Sequence, residues 1–170
     1  MKFLEKDLEE IIYTGNRELL SEKGLNIDGT LLRQFRIGNY GISDLISYER
    51  PSYTPALGRT LKGCITVYEL KQDKIGISTF LQALGYLKGI KRYLHKRGLE
   101  NNYNYKIVLI GKTMDLNSTY AYLEDFFQID FEGDVEDSPQ FEIHNYTYDY
   151  DINGISFKEM FGYKLNEEGF

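Results

Sequence analysis

Cys64-Ile65-Thr66-Val67-Tyr68-Glu69-Leu70-Lys71 reads as a β-strand, because it is rich in β-branched and aromatic residues. Side chains alternate in direction along a strand, so Glu69 and Lys71 fall on the face already occupied by Ile65 and Val67. The charges come at the C-terminal end, where a site can open to water. The preceding segment Ile42-Ser43-Asp44-Leu45-Ile46-Ser47-Tyr48 has the same oddity, with Asp44 in a row otherwise made of Ile42, Ile46 and Tyr48. An unpaired carboxylate is so unfavourable in such a place that it must be neutralised, hydrogen-bonded or set on a metal.

The layout follows outward from these two strands. Residues 3 to 13 have Leu4, Leu8, Ile11 and Ile12 at helical spacing, and Asn16 suits the cap of a second short helix through Lys23, which Gly24 ends. Leu31 to Ile37 and Ile42 to Tyr48 flank the compact turn Gly38-Asn39-Tyr40-Gly41, which predicts an antiparallel hairpin. Pro51, Pro55 and Gly58 mark Glu49 to Gly63 as a loop. A long helix is expected from about Ser78, its candidate cap, to Lys96, with Leu84, Leu87 and Leu94 in the buried row. Tyr105 to Gly111 is an apolar strand, and the helix before it allows parallel pairing with the Cys64 strand. Further on, Asn117 to Phe127 looks helical, Phe141 to Asp151 alternates, and Asn153-Gly154 turns the chain into Ile155-Ser156-Phe157.

Taken in order, Gly41-Ile42-Ser43-Asp44, Glu69-Leu70-Lys71 and the helical Gln82-Ala83-Leu84-Gly85-Tyr86 resemble the signature of the PD-(D/E)XK nuclease superfamily. The Gln-x-x-x-Tyr element is similar to that of its RecB-type branch. Phe3-Leu4-Glu5-Lys6-Asp7-Leu8-Glu9-Glu10-Ile11-Ile12 is similar to the opening helix of such proteins, whose glutamate often joins the site. The match runs over residues 3 to 110, and Ser43 stands where the family loosely keeps a proline. A Glu-x-Lys triplet alone carries no weight in a chain that is 27% charged. The order and the structural context do, since Gln82 and Tyr86 share one helix face.

The resemblance implies an α/β fold with a restriction-endonuclease-like core, a mixed central sheet flanked by helices in the order αβββαβ. One domain would span 1 to 170, with its core at about 3 to 112 and an acidic, aromatic-rich elaboration carrying an additional β-hairpin at about 113 to 170. It also implies a magnesium- or manganese-dependent nuclease acting on DNA. Asp44 and Glu69 would hold the metal, with Glu5 and the Leu70 carbonyl joining them, while Lys71 orients the attacking water or offsets developing charge. Gln82 and Tyr86 would anchor the strand or brace the ligands. Glu5 is preferred over Glu9 by resemblance alone, because both fit the same helix face.

Composition sets looser bounds. A chain of 170 residues can bury a substantial core as one domain. The net charge of −6 argues against indiscriminate nucleic-acid binding, but the charge is uneven. Lys88, Lys91, Arg92, His95, Lys96 and Arg97 crowd the last turns of the long helix, and Arg33 and Arg36 precede Asp44. Arg33, Arg36, Lys88, Arg92 and Lys96 are therefore candidate nucleic-acid contacts, and a merely solvated amphipathic helix accounts for the cluster equally well. Tyr146, Tyr148 and Tyr150 share one face of their ribbon; with few basic residues beside them, covering the core is the better expectation than stacking bases.

The single Cys64 can form no intramolecular disulfide and suits a buried small hydrophobe in a reducing, cytoplasmic compartment. The charged, helical opening is unlike a signal segment, and no apolar run approaches the length of a membrane span. Asp149 to Gly154 resembles the start of a calcium loop, but Met160 holds the twelfth position, so a tight turn is the better account. His95 and His144 lack the spaced partners of a zinc site. Two other classes stay open: a nuclease-fold module that binds nucleic acid or assembles proteins without catalysis, and a scaffold that self-associates into a homo-oligomer through the tyrosine ribbon.

Overall fold

The computed structural model describes residues 3–115 and 140–160. Two helices open the chain, α1 (Glu5–Thr14) and α2 (Arg17–Glu22). Asn16 caps α2, its Oδ1 accepting the amides of Glu18 at 2.9 Å and Leu19 at 3.2 Å, and Gly24 leaves the helix with φ +98°. Then come β1 (Thr30–Arg36) and β2 (Ile42–Glu49), paired antiparallel around a single 3-10 turn at Gly38–Tyr40.

The stretch expected to be a plain loop instead folds into a small hairpin, β3 (Ser52–Thr54) with β4 (Arg59–Leu61). Pro55 starts the 3-10 turn between them, and Gly58 closes it in the left-handed region, so the prolines mark the turn of a hairpin and not the absence of one. β5 (Gly63–Leu70) follows, then β6 (Lys74–Ile75), α3 (Ile77–His95), β7 (Tyr103–Gly111) and β8 (Thr113–Met114). Ser78 is not the cap of α3. Gly76 is, and its amide donates to the Thr79 hydroxyl at 3.3 Å.

The central sheet has six strands in the order β1-β2-β5-β7-β9-β10, where β9 is Phe141–Asp151 and β10 is Gly154–Met160. β2 pairs antiparallel with β5, and β7 lies parallel to β5 after the α3 crossover. β9 pairs parallel with β7 along the register Tyr105↔Phe141 to Gly111↔Thr147. The C-terminal hairpin expected as an elaboration outside the core thus extends the main sheet. The segment expected to be helical at 117 to 127 lies outside the described residues.

Two apolar layers hold helices on opposite faces of the sheet. On one face Leu87, Leu94 and Phe80 of α3 pack on Ile46, Ile65, Val67 and Ile107. On the other, Leu8 and Ile12 of α1 and Leu20 of α2 pack on Leu45, Tyr68, Leu70 and Val108, joined by Tyr146, Tyr148, Ile155 and Phe157 from β9 and β10. Tyr146 and Tyr148 therefore cover the core, as their surroundings suggested. Tyr150 is exposed and stacks on Phe3 at 4.7 Å. Cys64 is half-buried. Among the described residues no helix is long and apolar enough to cross a membrane.

Candidate active site

Asp44 sits where the sheet comes apart. The β2–β5 ladder runs from Glu49↔Cys64 to Leu45↔Tyr68 and stops one residue short of Asp44. On the other side the β1–β2 ladder has rungs at Arg33↔Leu45 and Phe35↔Ser43 but none at Gln34 and Asp44. Gln34 is left-handed there, φ +48°, and its amide donates to Glu9 on the α1 face. This conformation is unusual for a residue with a Cβ. With the ladder open, the Asp44 side chain substitutes for a backbone partner and accepts the Leu70 amide at 3.0 Å.

Glu69 is 1% exposed. One carboxylate oxygen accepts from the Lys71 ammonium at 2.8 Å; the other, Oε2, is buried with no hydrogen-bond partner among the described residues. Burial, and then the charge of Asp44, push the Glu69 carboxyl up to about 7, against the relief that Lys71 provides. Burial also raises Asp44, partly offset by the Leu70 amide, while Glu5 adds repulsion. Burial works against the Lys71 ammonium, yet the hydrogen bond and charge of Glu69, with Glu5 and Asp44, carry it above the usual lysine value. Negative charge is thus in excess at this end of the sheet, and one buried oxygen is left to be satisfied.

The other expected site residues divide cleanly. Glu5, at the start of α1, is half-buried and close enough to act on Asp44, Glu69 and Lys71 through its charge. Glu9 is buried but already committed, bonded by Arg33 and Gln34. Of the two acids that fit this helix face, Glu9 is thus taken up by partners within the fold. On α3, Gln82 Nε2 donates to the Tyr86 hydroxyl at 3.0 Å. Gly41, at φ +115°, lets the turn lie against the Tyr86 ring; a Cβ there would come within 2.9 Å of a ring carbon. Tyr86 is thereby wedged beside the strand that carries Asp44.

Among the candidate nucleic-acid contacts, Arg36, Arg92 and Lys96 border one groove beside α3. Lys88 is exposed but does not line it. Arg33 faces α1, bridges Glu9 and Glu10, and lies 5.5 Å over the Tyr13 ring, so its charge is engaged within the fold. His95 pairs with Glu100, and His144 with Glu142 and Glu159. Sequence reasoning missed Gln34 and, for Tyr148, the bond that reaches the site. The Tyr148 hydroxyl donates to the Gln72 carbonyl at 2.7 Å and pins the chain just after Lys71. No local pattern marks either one.

Among the described residues no three His, Cys, Asp or Glu side chains form a ready-made metal cage. Magnesium does not require one, because it takes one or two carboxylates and keeps several waters. Asp44, the unsatisfied Glu69 oxygen and the excess of negative charge fit a hard divalent cation. No family model, no curated protein and no solved structure matches this chain.

Proposed function

We propose that this chain is a restriction-endonuclease-like, metal-dependent nuclease of the cytoplasm that hydrolyses DNA phosphodiester bonds. The observation that carries the reading is the buried Glu69 Oε2, without a partner among the described residues, at the splayed end of β2 and β5 beside Asp44 and Lys71. A cation there would satisfy this oxygen, and an orphaned buried acceptor costs about 1–3 kcal/mol. Asp44 and Glu69 would hold magnesium or manganese, with the Leu70 carbonyl and Glu5 as further oxygen donors. When bound, the ion supplies positive charge beside the scissile phosphate and makes a nearby water acidic.

The protein's own groups do the rest. Lys71, kept charged by the surrounding acids, orients the water and opposes the negative charge that grows on the phosphoryl oxygens. The Leu70 amide fixes the Asp44 carboxylate so that its other oxygen keeps one direction. Tyr86 holds Gln82 at the edge of the site, where its amide can meet the substrate strand.

A second reading, a nuclease-fold module without catalysis, is favoured by the Lys71–Glu69 bond, which already neutralises one acid. Metal use separates the two. Plasmid, linear, branched and single-stranded DNA are incubated with purified protein in magnesium and in chelator. The nuclease reading requires cleavage in magnesium alone and its loss in Glu69→Gln. A purely structural pair tolerates both chelation and the isosteric change with its function unaltered.

A further inference from the structure

A groove of about 880 Å³ lies between α3 and the β1–β2 hairpin. Its floor is Ile46, Ile65 and Tyr48. Ile46 is two residues from Asp44 on the same face of β2, a step of about 7 Å along the strand. At the other wall, Gly89 is one helical turn beyond Tyr86. A Cβ at Gly89 would come within 2.6 Å of Ile37 and 2.7 Å of Tyr40, so glycine is what lets the hairpin turn close down on the helix and shape the groove. The groove therefore shares β2 and α3 with the candidate active site.

Its lining is chemically one-sided. In a chain of net charge −6, no aspartate or glutamate among the described residues lines it, and its charged residues there are Arg36, Arg92 and Lys96. Large apolar and aromatic side chains lie beside these cations: Phe35 is 43% exposed, Tyr40 36% and Tyr93 57%. Arg97 lies 4.2 Å over the Tyr93 ring, yet the residue keeps that exposure. Cations with open ring faces suit a ligand that alternates anionic groups with flat apolar ones. A duplex shows its phosphates but hides its base faces within the stack. A single strand presents both, and stacking on aromatics with a basic track is how such strands are held without sequence preference.

We infer that this groove binds single-stranded DNA, with unpaired bases against Phe35, Tyr40 and Tyr93 and phosphates on Arg36, Arg92 and Lys96, and feeds the strand toward Asp44. The inference rests on the nuclease reading for its direction, not for the binding itself. DNA is favoured over RNA because, among the described residues, the uncharged hydrogen-bonding side chains on the lining are Asn39 and the hydroxyls of Tyr40, Tyr48 and Tyr93, few partners for rows of 2′-hydroxyls.

The test measures anisotropy of labelled oligonucleotides in chelator, where no cleavage can occur. A mixed-sequence single strand of DNA is compared with the same strand in a duplex and with its RNA counterpart. The expected order is single-stranded DNA at least tenfold tighter than duplex, with RNA weaker than DNA. Tyr93→Ala is expected to lose about tenfold for single strands of any sequence. Arg36→Gln with Lys96→Gln should reduce the salt slope by about 1.4. Because Tyr93, Arg36 and Lys96 are all exposed, circular dichroism should confirm an unchanged fold. Equal or tighter duplex binding, or unaltered single-strand binding in both variants, overturns the inference. Selective single-strand binding without any magnesium-dependent cleavage would leave the groove standing and remove the nuclease reading. Cleavage that needs Asp44 but shows no single-strand preference would do the reverse.

Discussion

Glu69 holds its proton to about pH 7, because leaving water and facing Asp44 both disfavour its charge. In the unfolded chain it ionises near 4.5. Between those values the folded protein binds more protons than the unfolded one, so this group's stabilisation is complete below about pH 4.5 and is lost as the pH rises through about 7. Glu69→Gln cannot lose a proton. In the absence of metal, the stability of Glu69→Gln relative to the wild type should therefore rise by about 2 kcal/mol between pH 5 and pH 8. Urea denaturation at the two pH values reads this directly; a pH-independent difference would mean that Glu69 is ionised throughout. Lys71 makes a separate prediction. Lys71→Ala should reduce turnover at saturating magnesium by about a hundredfold while metal binding, followed by calorimetry, persists, because the ammonium is needed most as charge develops. A variant that binds no metal and has lost its fold would make Lys71 a structural counter-ion.

At the level of elements, the site depends on contacts that cross the sheet. Tyr148 in β9 bonds the Gln72 carbonyl, just past the strand end that presents Glu69 and Lys71. Tyr148→Phe should cost about 1 kcal/mol in stability and lower turnover more than substrate affinity; an equal fall in both would show that β9 does not position the strand end. Gly89→Ala tests the groove wall. Its methyl would push Ile37 and Tyr40 off α3, at a cost of about 1–3 kcal/mol in thermal unfolding, and an unperturbed variant would mean the hairpin rides freely. Much of this scale is legible in the sequence. Helical spacing locates α1 and α3 by the apolar face each buries, and apolar or alternating runs locate β1, β2, β5 and β7, the last three burying side chains on both faces of the sheet. What escapes is what depends on partners far along the chain. Nothing near Phe141 says that it will pair with Tyr105, and nothing near Pro51 or Pro55 distinguishes a loop from a tight hairpin. Within the site, Asp44, Glu69 and Lys71 stand out because charge interrupts an apolar row. Glu9 looks no different from Glu5 until Arg33 and Gln34 are seen to claim it. Arg33 misleads for the same reason, since its partners lie on another element.

Across the whole molecule, the two helical layers leave one end of the sheet without a complete ladder, and the excess negative charge collects there. The long groove on the α3 face carries the opposite sign. Under the proposed function, the cations along this groove would draw in a polyanion and the carboxylates at the sheet end would hold a cation against it. The measurement that tests this most directly is single-turnover cleavage of DNA in magnesium by the wild type, Asp44→Ala and Glu69→Ala, each with its fold verified by circular dichroism. Cleavage by the wild type that vanishes in both variants and in chelator is the expected result. Full turnover by both folded variants, or a wild type that cuts none of the substrate forms in magnesium or manganese, would contradict it.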